Sequence, residues 1–166
     1  ATPKGPAIFR LEEHIERLYH SAAIYRMAIP YSPGELAEAC REAVRANGLK
    51  SAYLRPVVFR GFSGFGLATA TTAPIEVAVA AIEFGAYLGE DGLKNGIDAC
   101  VSSWSRAAPN TFPAMAKAGG NYLNSQLIAM EARRLGFGEG IALSHDGLLS
   151  EGSGENLFVV RKGVLY

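Results

Sequence analysis

The sequence predicts a mixed α/β (α+β) fold, and three observations carry that reading. Apolar residues recur at steps of three and four over 10–26, 33–47 and 121–135, the period of a helix with one buried face. Between these stretches, 51–60, 74–83 and 97–102 are rich in β-branched, aromatic and small apolar residues, as strands are. The polar, glycine-rich run Gly89 to Gly96 has no apolar period and marks a boundary between two parts of the chain. A length of 166 residues with 49% hydrophobic content suits one globular domain or parts of two.

Composition excludes several function classes. Sixteen basic residues balance sixteen acidic ones, with no basic run interleaved with aromatics, so neither nucleic acid nor an anionic membrane surface is an indicated partner. The longest apolar region, Ala73 to Leu88, is broken by Glu76 and Glu83 and does not read as a membrane span. Ala-Thr-Pro-Lys-Gly at the start is not a signal peptide. Cys40 and Cys100 form no Cys-x-x-Cys and read as two free thiols of a reducing cytoplasm. His14, His20 and His145 lack metal-ligand spacing, so no metal site is expected. The first residue is not Met and the final hairpin has barely begun its second strand, which reads as a fragment.

Taken in order, Gly5 to Phe9 reads as a short strand. The helix over 10–26 places Leu11, Ile15, Leu18, Ala22 and Tyr25 on one face, with His14 and Arg17 on a neighbouring one. Ser32-Pro33-Gly34-Glu35 is a capping box with proline at the first helical position; the helix carries Leu36, Cys40, Ala43 and Val44 and stops at Gly48. In the strand over 51–60, Tyr53 and Arg55 are two apart and project from one face. An arginine there beside Val57 and Phe59 either meets an anion or lies at a wet sheet edge, and both readings stand.

Gly61 to Leu67 is a glycine-rich loop without dinucleotide spacing and with no helix behind it. Phe65 and Leu67 are unusual residues for a monomer's loop. A strand over 74–83 follows, then Phe84, Gly85 and Tyr87. Ile97 to Ser102 reads as a strand, and 103–113 as a loop leading to Lys117. The helix over 121–135 is expected to bury Leu123, Leu127 and Met130. His145-Asp146-Gly147 turns a hairpin between Ile141–Ser144 and Leu148–Ser150, and Lys162-Gly163 turns another after Asn156.

The chemistry concentrates between Lys117 and Asn156. Lysine is a nucleophile only when deprotonated, and a lysine that condenses with a carbonyl needs a fixed place with little flanking bulk. Ala116, Ala118, Gly119 and Gly120 supply that place, Tyr122 lies five residues on, and Glu151 opens a second glycine-rich loop. A surface lysine beside a turn is the blander reading of Lys-x-Gly-Gly alone.

The stretches Lys-Ala-Gly-Gly-Asn-Tyr-Leu-Asn-Ser at 117–125 and Ser-Glu-Gly-Ser-Gly-Glu-Asn-Leu-Phe at 150–158 resemble the two signatures of branched-chain amino acid aminotransferases, class IV (fold type IV) pyridoxal-phosphate enzymes. The resemblance runs from Gly5-Pro6 to Tyr166. It implies two α/β domains with pyridoxal 5'-phosphate between them. Residues 1–90 would be the small domain, 91–102 the connection with the second domain's first strand, and 103–166 the incomplete opening of the large domain.

By the same resemblance Lys117 holds the cofactor's aldehyde and is the catalytic base. Tyr122 donates to the ring phenolate, Glu151 faces the pyridine nitrogen and Arg17 clamps the phosphate. Tyr53 and Arg55 receive the substrate's carboxylates, Phe84 and Tyr87 line the aliphatic pocket, and Phe65 and Leu67 reach the neighbouring subunit of a homodimer or higher homo-oligomer. Glu155 and Asn156 share the loop of Glu151, and Gly152 and Gly154 let it turn closely. The implied reaction exchanges the amino group of leucine, isoleucine or valine with 2-oxoglutarate, giving branched 2-oxo acids and glutamate.

The same lysine and glutamate would serve a D-amino acid aminotransferase, an aminodeoxychorismate lyase or an (R)-amine transaminase. Tyr53-Leu54-Arg55-Pro56, Phe84-Gly85-Ala86-Tyr87 and 105–110 resemble the branched-chain type more closely. A non-catalytic dimerisation or binding module has no need of Arg17, Lys117, Tyr122 and Glu151 together.

Overall fold

A computed structural model describes residues 7–85 and 89–166. The chain divides into two compact units, Ala1–Gly85 and Ala86–Tyr166. The first contains helices α1 (Leu11–Ile24) and α2 (Pro33–Ala46), then strands β1 (Tyr53–Arg60) and β2 (Ile75–Ile82). The second contains α3 (Gly89–Asn95), β3 (Ala99–Ser105), α4 (Tyr122–Arg134), β4 (Glu139–Leu143), β5 (Leu149–Gly152), β6 (Val160–Arg161) and β7 (Val164–Leu165).

In the first unit, β1 and β2 form an antiparallel pair with Tyr53 opposite Ile82 and Arg55 opposite Ala80. Alternation sends Leu54, Val77 and Val79 toward a core of Leu11, Ile15, Leu36, Ala37 and Cys40. The two helices therefore cover one face of the ribbon. Ser32 and Glu35 start α2 with the expected reciprocal capping bonds, Ser32 N–H to Glu35 Oε2 at 2.7 Å and Glu35 N–H to Ser32 Oγ at 3.3 Å. The other face of the ribbon presents Tyr53, Arg55, Val57 and Phe59, and stays open within this unit. Arg60 donates to the carbonyls of Ala70 (2.7 Å) and Tyr25 (2.5 Å), tying the 3-10 turn Leu67–Thr71 after the glycine-rich loop and the end of α1 to the strand.

The second unit is built on a three-stranded sheet in the order β3-β4-β5. β3 and β4 are parallel and joined through α4, while β4 and β5 are antiparallel. Parallel neighbours need a crossover, and α4 is that crossover. Ile128 and Ala132 are fully buried where α4 meets the sheet. The helix approaches so closely at Gly140 that a Cβ there would lie 2.7 Å from Ile128 Cγ2 and 3.0 Å from its carbonyl oxygen. Glu131 pins α4 to β3, accepting from Ser103 N–H (2.8 Å), Ser103 Oγ (2.6 Å) and Ser102 Oγ (2.5 Å). The hydroxyl of Ser102, then the hydroxyl and N–H of Ser103, hold its carboxyl below the ordinary glutamate value.

Three elements differ from the sequence expectation. Ala7 and Ile8 lie outside regular structure and Phe9 and Arg10 form a turn, so the described part of 5–9 is not a strand; residues 1–6 and 86–88, among them Tyr87, lie outside the described residues. Arg10 adopts a left-handed conformation (φ 50°) and pairs with Glu13 at 2.8 Å, which starts α1 instead. Gly89–Asn95 is helical despite its glycines: Glu90 and Asp91 occupy its first turn, Lys94 its last, and Asn95 Nδ2 donates to Asp91 Oδ1 at 2.7 Å. In α4 the inward face is Ile128 and Ala132, whereas Leu123, Leu127 and Met130 are 64%, 39% and 66% exposed. Close packing onto β3 and β4 selects small and medium residues, and the larger ones point away from that sheet.

Candidate active site

Lys117 sits on a backbone held from both sides. Ala116 is buried, its N–H donates to the Pro113 carbonyl (3.0 Å), and its carbonyl receives Ala118 N–H (2.9 Å) and Asn121 Nδ2 (3.1 Å). A single 3-10 turn, Gly119–Asn121, then leads into α4, whose first residue is Tyr122. That tight connection folds the phenol back over the lysine. Lys117 Nζ donates to Tyr122 Oη and lies 5.1 Å from the centre of its ring. An amine and a phenol joined by a hydrogen bond are thus brought together at the N-terminus of α4, both exposed enough to meet a ligand.

Glu151 lies on β5, and Arg106, directly after β3, holds it. Arg106 Nε is 3.1 Å from Glu151 Oε1, an ion pair without hydrogen-bond alignment. Arg106 Nη1 donates to Asn124 Oδ1 (2.9 Å) and Ser125 Oγ (3.0 Å) on α4, and Nη2 donates to the carbonyls of Gly152 (2.6 Å) and Ser153 (3.3 Å). One guanidinium therefore ties the first turn of α4, which carries Tyr122, to the loop behind Glu151. The Arg106 side chain is 17% exposed and that of Glu151 47%, so the cation is the structural member and the carboxylate stays open. Sequence reasoning gave Arg106 no such role. A strand-end arginine followed by a glycine-rich loop far downstream carries no local signal that the two meet.

The first unit assembles a second group of the expected residues. Tyr53 and Phe84 pack with ring centres 5.1 Å apart, and the Arg55 guanidinium lies 5.3 Å from the centre of the Tyr53 ring. These three line the open face of the β1–β2 ribbon, together with Val57 and Phe59. Arg55 is thus held over an aromatic ring on a half-apolar face. Arg17 is exposed on α1. In the loop after β1, Phe65 is 95% exposed and packs edge-on against Phe62 at 6.2 Å, while Leu67 is 98% exposed. Lys117, Tyr122 and Glu151 belong to one unit, Arg17, Tyr53, Arg55, Phe84, Phe65 and Leu67 to the other.

The donor set fits pyridoxal phosphate. A cofactor with an aldehyde, a phenolate, a basic ring nitrogen and a phosphate needs an amine, a proton donor, a carboxylate and a cation. The amine and phenol are already in contact, and the carboxylate is oriented from behind by Arg106 with half of its surface open. Among the described residues, no group of three His, Cys, Asp or Glu side chains could hold a metal ion, and no helix is long and apolar enough to cross a membrane.

Comparison with known proteins agrees with this chemistry. The family model described as "Amino-transferase class IV" matches residues 4–166. The branched-chain-amino-acid aminotransferase of Escherichia coli (strain K12) is 55% identical over 163 residues, covering 98% of this chain and 53% of that protein. A crystal structure of the Escherichia coli enzyme superposes with a TM-score of 0.95 at 55% identity, covering 99% of this chain and 54% of that one. The branched-chain amino acid aminotransferase from Thermobaculum terrenum, solved in its PLP-bound holo form, gives 0.83 at 33% identity, covering 95% of this chain and 50% of that one. The chain thus spans about half the length of the curated relatives it matches. With the family model extending over nearly every residue and the lysine–tyrosine and arginine–glutamate pairs in place, this chain belongs to the class IV aminotransferase family.

Proposed function

We propose that the complete protein is a pyridoxal-phosphate-dependent branched-chain amino acid aminotransferase, exchanging amino groups between leucine, isoleucine or valine and 2-oxoglutarate. The observation that carries this reading is the contact of Lys117 Nζ with Tyr122 Oη, in the same unit as an arginine-held Glu151 and in a chain 55% identical to an enzyme of that name. When bound, the cofactor supplies an aldehyde that condenses with amines and a ring that accepts electrons from the α-carbon. Lys117 carries the proton to and from that carbon. Tyr122 would donate to the ring oxygen, and its own oxygen receives the Lys117 amine. Glu151 would accept a hydrogen bond from the ring nitrogen and so keep it protonated, and Arg17 would bind the phosphate with its planar fork.

Substrate recognition belongs to the ribbon face of the first unit. Tyr53 binds the α-carboxylate, Arg55 receives the distal carboxylate of glutamate, and Phe84 with Tyr87 lines the aliphatic side of the pocket. Because Arg55 lies over the ring of Tyr53, it can meet an acidic side chain while the neighbouring apolar surface takes a branched one. Arg55→Leu is expected to raise KM for 2-oxoglutarate at least about tenfold, the loss of one charge-assisted hydrogen bond, with a much smaller change for 4-methyl-2-oxopentanoate. Equal losses for both substrates in steady-state kinetics would remove Arg55 from this role.

The exposed Phe62, Phe65 and Leu67 support a homodimer in which this loop reaches the partner's site. Two free cysteines, one of them buried, accord with a cytoplasmic biosynthetic enzyme. The test is an absorbance spectrum of the complete natural chain with cofactor, before and after borohydride, followed by peptide mapping. A visible band that borohydride bleaches, a label on Lys117, and bleaching by leucine are the expected results. A colourless, unlabelled protein in excess cofactor overturns the reading.

A further inference from the structure

Behind Glu151, the turn over 152–155 is braced by two carboxyl groups that no motif singles out together. Glu139 comes from β4, and its Oε1 accepts from Gly140 N–H (2.7 Å) and from Ser153 N–H (3.2 Å) in the turn. Glu155 closes the turn on itself: its carbonyl receives Gly152 N–H (2.9 Å) and its Oε2 receives Gly154 N–H (3.1 Å). The fit is tight, since a Cβ on Gly152 would lie 2.6 Å from Glu155 Oε2. Glu155 Oε1 is shielded from water and meets no donor among the described residues, and the two carboxyl groups accept from successive N–H groups of one turn, Glu139 from Ser153 and Glu155 from Gly154. Two ionised carboxylates can only accept hydrogen bonds and repel one another. Their proximity becomes favourable when one of them carries a proton.

We propose that Glu139 and Glu155 share one proton and act as a positioning pair that holds the turn over 152–155, and through it Glu151, in place for the cofactor. The link is continuous. The turn's Gly152 and Ser153 carbonyls receive Arg106 Nη2, and Arg106 Nε lies against Glu151. Burial, followed by the neighbouring Glu139 carboxylate, pushes the Glu155 carboxyl up, partly opposed by the Gly154 N–H. The other charged groups nearby are occupied: Arg106 from the end of β3 by Glu151 and the turn's carbonyls, Glu151 on β5 by Arg106, and Glu131 on α4 by Ser102 and Ser103. Glu155 binds its proton more tightly folded than unfolded. Its contribution to the brace is therefore complete below the unfolded carboxyl's pKa of about 4.3, and is lost as pH rises through the folded value.

The inference rests on the proposed cofactor role of Glu151, and two readouts on the complete natural chain separate the two ideas. In 13C-glutamate-labelled protein without cofactor, one carboxyl should titrate above the ordinary range of about 4.3, and its signal should vanish in Glu155→Gln. With cofactor, the Kd of wild type relative to Glu155→Gln should weaken at least about tenfold as pH crosses that titration, because the amide donates to Glu139 at every pH. All carboxyls titrating in the ordinary range, or a constant Kd ratio, would overturn the pair. Failure of wild type to bind pyridoxal phosphate at all would sink the proposed function instead, and the carboxyl titration would then decide the pair by itself.

Discussion

Lys117→Ala in the complete natural chain is expected to lower kcat at least about 1,000-fold, the scale of a lost positioned proton carrier. The group removed is the amine that the 3-10 turn at Gly119–Asn121 places against Tyr122. Ala116 and Ala118 flank it and carry no group that could move a proton, and Asn121 holds the carbonyl of Ala116 from behind. The variant should nonetheless fold. Lys117 is exposed, and the buried contacts of the segment belong to Ala116 and Asn121. Steady-state transamination and thermal melting together check this: activity lost with an unchanged Tm is the expected pair of results. Retention of more than about a tenth of wild-type kcat would show that the proton moves through another group.

Arg106→Leu should act on folding and on the site at once. The guanidinium makes four hydrogen bonds and one ion pair, reaching both α4 and the loop behind Glu151, all from a side chain that is 17% exposed. Leucine would leave the carbonyls of Gly152 and Ser153 without that donor, and the Glu151 carboxylate without its cation. Breaking hydrogen bonds to a charged group costs about 1.5–3 kcal/mol, and truncating one partner of a buried pair about 3–5. Because Glu151 is half exposed and water can replace part of what is lost, a destabilisation of about 3 kcal/mol is expected. Urea unfolding measures it, and cofactor titration of the folded fraction should show weaker binding. Arg106→Lys should recover part of the stability but not the two-sided grip, since an ammonium cannot span α4 and the turn with a rigid fork. Wild-type stability in Arg106→Leu would show that the turn is held by its own bonds.

Local features of this protein were legible in the amino-acid order because their causes are local. The capping box at Ser32–Glu35, the alternation of β1 that sets Tyr53 and Arg55 on one face, and the tight turn between Lys117 and Tyr122 each depend on residues within a few positions of one another. Signature stretches around Lys117 and Glu151 likewise identified the family without coordinates, and the family model spans nearly the whole chain. What only the tertiary structure decided involves residues far apart in sequence. Arg106 meets Gly152 and Ser153, Glu131 meets Ser102 and Ser103, and Glu139 meets Ser153, separations that no periodicity or spacing encodes. The inward face of α4 was misread for the same reason. Leu123 and Met130 are large apolar residues, but the close crossing over Gly140 admits Ile128 and Ala132, and volume at a contact prevails over hydrophobicity when backbones approach this nearly.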